Sequence, residues 1–124
     1  MARVTHFEIA ADNMKSQEEF YTKVFGWEFI KEQYGEMKYW RMRTGTKDEQ
    51  GIGGSMVQKN EKTLTSVRNI IRSTNIDHTL KLVKENGGKI LQPKKEIGEY
   101  AFMAAFEDPE GNVFGVIQVI EKKN

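Results

Sequence analysis

Polar and apolar residues take turns from Val4 to Ala10, with Val4, His6, Glu8 and Ala10 on one side and Thr5, Phe7 and Ile9 on the other. A period of two is that of a strand. The Phe7/Ile9 side is expected to pack on a helix, which leaves His6 and Glu8 facing whatever the sheet encloses. The period lengthens after Asp12 or Asn13, either of which can cap a helix by accepting a bond from an amide of its first turn. Met14, Tyr21, Val24 and Phe25, joined by Phe20, fall at helical spacing and read as the buried stripe, with Lys15, Gln17, Glu18 and Lys23 in water. Gly26 can take positive φ and ends the helix.

Three more strands follow in this half. Trp27 to Glu32 alternates, and Lys38 to Thr44 follows a turn at Gly35, with Trp40 and Met42 opposite Tyr39, Arg41 and Arg43. Ile52 to Gln58 is the fourth strand. Its cluster of Gly51, Gly53 and Gly54 marks a bend or a close approach to the backbone, because glycine otherwise weakens a strand. The second half repeats the plan. Val67 to Ser73 is a strand, Asn75 a cap, and Ile76, Thr79, Leu80 and Val83 a helical stripe stopped by Gly87-Gly88. Strands Lys89 to Lys95, Tyr100 to Glu107 and Val113 to Ile120 complete it, the last two joined by the turn Asp108-Pro109-Glu110-Gly111-Asn112.

One offset of 62 residues aligns the halves, setting Asn13 on Asn75, Gly26 on Gly88, Gly53 on Gly115, Phe20 on Leu82 and His6 on Arg68. This predicts an α+β fold, a βαβββ module used twice: modules 1–60 and 61–124 of a single domain, forming a curved eight-stranded mixed sheet with the helices on its outer face.

The charge balance narrows the partners. With 19 basic and 18 acidic residues the net charge is +1, so neither nucleic acid nor a membrane surface is expected. The absence of cysteine excludes disulfides, thiolate metal sites and thiol nucleophiles. The N-terminus carries charge where a signal peptide needs an apolar run, and no apolar stretch approaches the roughly 20 residues of a membrane span. A soluble, cytoplasmic protein is expected.

The doubled βαβββ plan, His-x-Glu-Ile in strand one, Glu-Phe-Tyr-x-Lys-Val-Phe-Gly-Trp-Glu at the first helix and Phe-Glu-Asp-Pro-Glu-Gly-Asn-Val-Phe-Gly-Val-Ile-Gln near the end resemble the vicinal oxygen chelate superfamily. That group includes glyoxalase I, bleomycin-resistance proteins and extradiol dioxygenases. The resemblance implies ligand positions on the first and fourth strands of each module, which here are His6, Gly53, Arg68 and Gly115. Glycine has no side-chain donor and guanidinium no lone pair for a cation, so no metal site and no cofactor are expected. The resemblance also implies a homodimer.

The candidate ligand-binding residues are His6, Glu8, Trp40, Arg68 and Phe102. His6 is a surviving metal ligand, a general base, a hydrogen-bond partner for a substrate, or a histidine satisfied by its neighbours. Glu8 is a base or the partner of Arg68 or Arg72. Arg68 and Arg72 on one strand face, and Arg41 and Arg43 on another, either hold an anion bidentately or sit solvated at the rim. Trp40, Phe102, Phe106 and Phe114 are closed core or cavity wall. The expected function is binding of a small organic molecule in a sheet-enclosed cavity without a catalytic metal. The alternative is a metal-dependent lyase, isomerase or dioxygenase of the glyoxalase type.

Overall fold

Strands and helices form where the two periods predict them. The computed structural model describes residues 2–34 and 37–120, so the turn expected at Gly35 lies outside the described residues. The order is β1 (Arg3–Ala11), α1 (Met14–Phe25), β2 (Glu28–Tyr34), β3 (Met37–Arg43), β4 (Gly53–Gln58), β5 (Val67–Arg72), α2 (Ile76–Glu85), β6 (Lys89–Ile97), β7 (Ala101–Glu107) and β8 (Val113–Val119). The fold is α+β, an eight-stranded mixed sheet with two helices, and each half is a βαβββ module as expected.

The chain divides into two compact units, His6–Arg68 and Met1–Thr5 with Asn69–Asn124. In the first unit the strand order is β2-β3-β4-β1, with β1 parallel to β4 and the other pairs antiparallel. Asn13 is the cap of α1, its side chain accepting from the Ser16 amide at 3.0 Å. Gly26 closes the helix at φ 73°, a left-handed conformation that suits glycine. Beneath the helix lie Ile9, Ala11, Met14, Met42 and Met56, with Phe7, Tyr21, Trp27, Phe29 and Trp40 packed around them.

The helical stripe needs correcting. Met14 is buried and Tyr21 stacks on Trp27 with ring centroids 5.0 Å apart. Phe20, Val24 and Phe25, however, are 52%, 55% and 59% exposed. The stripe as read from spacing is wider than the line of contact a single helix makes with a sheet, so its outer edge stays in solvent. The glycine cluster of β4 has a local cause. A Cβ on Gly54 would stand 2.8 Å from Phe7 Cζ and 2.9 Å from Met42 Cε, so the glycine is the floor on which the Phe7 ring rests.

The second unit has the order β5-β8-β7-β6, with β5 parallel to β8. Its core is Ile76, Leu80, Ala104 and Val116, flanked by Ile90, Phe102 and Phe106. Asn75 caps α2 by accepting from the His78 amide. The turn between β7 and β8 is organised by one carboxylate: Asp108 Oδ1 accepts from the Glu110 and Asn112 amides and Oδ2 from Asn112 Nδ2, all within 2.8–2.9 Å.

The pairing within each unit also corrects the single offset. Ile9 pairs with Met56 and Ile71 with Val116, while Trp40 and Ala104 occupy the next strand in each row. Matching positions are therefore 62 residues apart in β1 and β5, 64 in β3 and β7, and 60 in β4 and β8. Gly115, which pairs with Ile70, matches Ser55, which pairs with Glu8, and does not match Gly53. The fall from 64 to 60 arises between β3 and β4, where residues 44–52 connect the strands, against residues 108–112 between β7 and β8.

Candidate functional site

The candidate site is one face of the first unit's sheet, opposite the face that carries α1. Strand alternation sends His6 and Glu8 out together from β1. The register sets His6 beside Gly53 and Glu8 beside Ser55, and Ser55 beside Arg41 of β3. Tyr39 leaves β3 on the same side as Arg41, two residues away, and Glu32 of β2 is its direct partner.

Arg68, at the start of β5, completes the face. Its Nε and Nη2 both lie 2.9 Å from Glu8 Oε1, in a pair whose side chains are 15% and 10% exposed. An arginine and a carboxylate this far from water hold each other in place, since either alone would be a stranded charge. Arg41 grips Glu32 in the same way, with Nε and Nη2 each 2.9 Å from Oε1, nearer to solvent. Arg43 reaches Glu28 at 3.5 Å. The charges of this face thus cancel in pairs.

Between the pairs sit two neutral hydroxyls. Ser55 is fully buried, and its Oγ makes no hydrogen bond of good geometry. The Tyr39 phenol lies near enough for that hydroxyl to favour its ionised form, but burial outweighs this and pushes the phenol up, helped by the Glu8 and Glu32 carboxylates and opposed by Arg41. Tyr39 is therefore a protonated donor at neutral pH. His6 is held below the ordinary histidine value by burial first and by the Arg68 guanidinium second, which makes it a neutral imidazole.

The expected site residues are not all brought together. His6, Glu8 and Arg68 share this face. Trp40 does not: it pairs with Met56 and packs against the methionine-rich core on the helix side, with Lys31 Nζ 4.8 Å above its ring. Phe102 belongs to the second unit, where it packs on the Ile76/Leu80 cluster. Tyr39 and Ser55 are the residues that sequence reasoning missed. Alternation did put Tyr39 beside Arg41, but only the pairing of β3, β4 and β1 brings it near Glu8, from the neighbouring row in which it pairs with Val57 and Val57 with Ala10.

The donor set does not suit a divalent cation. Among the described residues no three His, Cys, Asp or Glu side chains gather as a metal centre. Of the positions implied by the resemblance, His6 alone is a ligand, Glu8 is committed to Arg68, and a guanidinium repels a cation.

The model of the Glyoxalase/Bleomycin resistance protein/Dioxygenase superfamily matches residues 3–116. The chain belongs to this superfamily. No curated protein matches it. Among solved structures, a hypothetical protein of Bacillus halodurans C-125 aligns with a TM-score of 0.74 and 16% identity, over 99% of this chain and 98% of that one. Methylmalonyl-CoA epimerase of Streptomyces coelicolor, solved in complex with 2-nitronate-propionyl-CoA, aligns at 0.72 and 14% over 98% and 97%. The epimerase of Mycobacterium tuberculosis gives 0.71 and 10% over 94% and 87%. At such identities these likenesses concern the superfamily fold. No helix among the described residues is long and apolar enough to cross a membrane.

Proposed function

We propose that this superfamily member binds a small organic molecule on the His6–Glu8–Arg68 face of its first unit, without a catalytic metal. The observation that carries the reading is the buried Arg68–Glu8 pair beside His6, a desolvated polar arrangement that hydrophobic packing alone has no use for. Because each guanidinium on the face is matched by a carboxylate, the preferred ligand is an uncharged molecule with acceptor oxygens. Tyr39 is the donor to such an oxygen, and the neutral His6 supplies a second polar contact. The same reading takes the protein as a cytoplasmic homodimer, and a monomer in sedimentation velocity would remove the dimer.

Thermal shift against a panel of small ketones, lactones and amides tests the binding. A hit is expected to stabilise the wild type and to lose its effect in His6→Ala and Tyr39→Phe. A hit that stabilises both variants as it does the wild type removes this face from the reading.

The likeness to methylmalonyl-CoA epimerases favours a second reading, a metal-dependent lyase, isomerase or dioxygenase of the glyoxalase type. Metal analysis of the purified protein, with thermal shift against Co²⁺, Ni²⁺, Mn²⁺ and Zn²⁺, separates the two. A tightly held stoichiometric ion would decide for the enzyme.

A further inference from the structure

Three large apolar side chains gather uncovered on one helix. Phe20, Val24 and Phe25 fall within two turns of α1, and each is more than half exposed. They are not scattered. Phe20 meets Tyr21 edge-on with ring centroids 5.1 Å apart, Tyr21 stacks on Phe25 at 6.2 Å, and Phe25 lies 5.4 Å from Trp27. Val24 stands one turn from Phe20 on the same ridge. A continuous apolar patch marks a contact surface where lone exposed residues do not.

The fold does not require this patch. The asparagine caps set α1 on α2 at the offset of 62, which places Leu82, Asn86 and Gly87 where α1 has Phe20, Val24 and Phe25. The second helix thus packs on its sheet with one large apolar residue at these three positions.

The charges beside the patch decide what fits it. Glu19 and Lys23 each precede a member of the Phe20/Val24 ridge by one residue, so both lie on the same flank of it, one turn apart. Both are exposed, and neither has a charged partner among the described residues, whereas Glu18 on the other side of the helix reaches Lys31 at 3.1 Å. Two such helices packed antiparallel about a twofold axis bring like flanks together with their directions reversed. With the axis level with residue 22, Phe20 of one protomer meets the partner's Val24. Glu19 then lies about 3 Å along the helix from the partner's Lys23, and the pairing occurs twice. A parallel arrangement would set Glu19 on Glu19 and Lys23 on Lys23.

We propose that this face of α1 takes a second copy of the chain, the two helices antiparallel, with the apolar ridge between them and reciprocal Glu19–Lys23 pairs at the rim. This rests on the homodimer of the proposed function and names its surface. One helix against another is a small interface, which puts the dissociation constant on the order of micromolar.

Sedimentation equilibrium of the full chain tests it. Phe20→Gln, at an exposed position, should raise the dissociation constant at least about tenfold. Lys23→Glu should raise it at least about fivefold, because four carboxylates then share the rim. Lys15→Glu, the same charge change on the far side of the helix, should leave it as it was. The reversal Glu19→Lys/Lys23→Glu restores both pairs and should return the constant to within about twofold of the wild type. A chain that is monomeric throughout removes the dimer and this surface together. A dimer indifferent to Phe20→Gln and Lys23→Glu keeps the dimer and overturns the surface. The surface also falls if the double reversal is no tighter than Lys23→Glu, or if Lys15→Glu loses as much as Lys23→Glu. Flotation of a monomeric chain with phosphatidylcholine/phosphatidylglycerol vesicles would give the face to lipid and overturn it too.

Discussion

The same row of the sheet is built from opposite materials in the two units. In the first it runs Glu8, Ser55, Arg41, and in the second Ile70, Gly115, Ala105. Ile70 and Ala105 are fully buried, and so is Ser55, while Glu8 is 8% exposed. Both rows fit one pairing pattern, so the register does not call for charge. A buried ion pair costs desolvation that an apolar row avoids. The first unit's row is therefore a local choice of side chains, and that choice is what favours it over its counterpart as the proposed ligand face.

That contrast can be broken most directly at Arg68. Arg68→Met leaves the Glu8 carboxylate buried and alone, with an expected loss of about 3–5 kcal/mol in urea unfolding. The double variant Glu8→Leu/Arg68→Met, which gives the row the character of the second unit, should recover most of this. A single variant within 1 kcal/mol of the wild type would mean the pair is open to water and the contrast superficial.

Gly54 offers a smaller effect. It matches Phe114 of the second unit, so the large ring comes from β1 in one unit and from β8 in the other; Phe114 stacks on Phe106 at 5.9 Å. Gly54→Ala is expected to cost about 1 kcal/mol, low for over-packing because the obstructing atoms of Phe7 and Met42 are side-chain ends. A stabilised variant would show that the Phe7 ring does not rest there.

Acid sharpens the comparison further, through the half-buried His6 of the first unit's polar face. The folded His6 value lies below the unfolded 6.5, so between the two the unfolded chain binds more protons. Its contribution is intact above pH 6.5 and is lost as pH falls through the lowered folded value. Stability measured across that window should fall more steeply in the wild type than in His6→Gln, and parallel curves would refute the burial of the imidazole.

The smallest effect is at Ser55. Ser55→Ala removes a buried hydroxyl whose approach to the Tyr39 phenol falls short of good hydrogen-bond geometry, so stability should change by less than about 0.5 kcal/mol. The Tyr39 phenol should titrate still higher without it, read from its ultraviolet absorbance. A loss above about 1 kcal/mol would show the hydroxyl to be bonded.

Much of this architecture was legible in the residues. Period-two runs, two asparagine caps and the Asp108 turn place all eight strands and both helices, because each signal is local. Alternation also paired His6 with Glu8. It did not decide which side of β3 joined them, and Trp40, with the larger ring, went to the helix side while Tyr39 took the polar one. Spacing sets Phe20, Val24 and Phe25 in the core stripe, since it reports a helix face but not how much of it a neighbour covers. Ser55 gave no signal in its own sequence. Its place beside Glu8 exists only through the pairing of strands 47 residues apart, which the offset of 62 misaligned by two.

The Asp108 turn bears on how the chain reaches its fold. Five residues, held by a single carboxylate, separate β7 from β8, so their ends meet at little entropic cost. The corresponding hairpin of the first unit must close the longer span 44–52. Pairing of β1 with β4, or β5 with β8, waits on ring closures of more than 40 residues, the slow kind. The β7–β8 hairpin thus supplies a kinetic head start, and the C-terminal half is the place to look for early protection in pulsed hydrogen exchange.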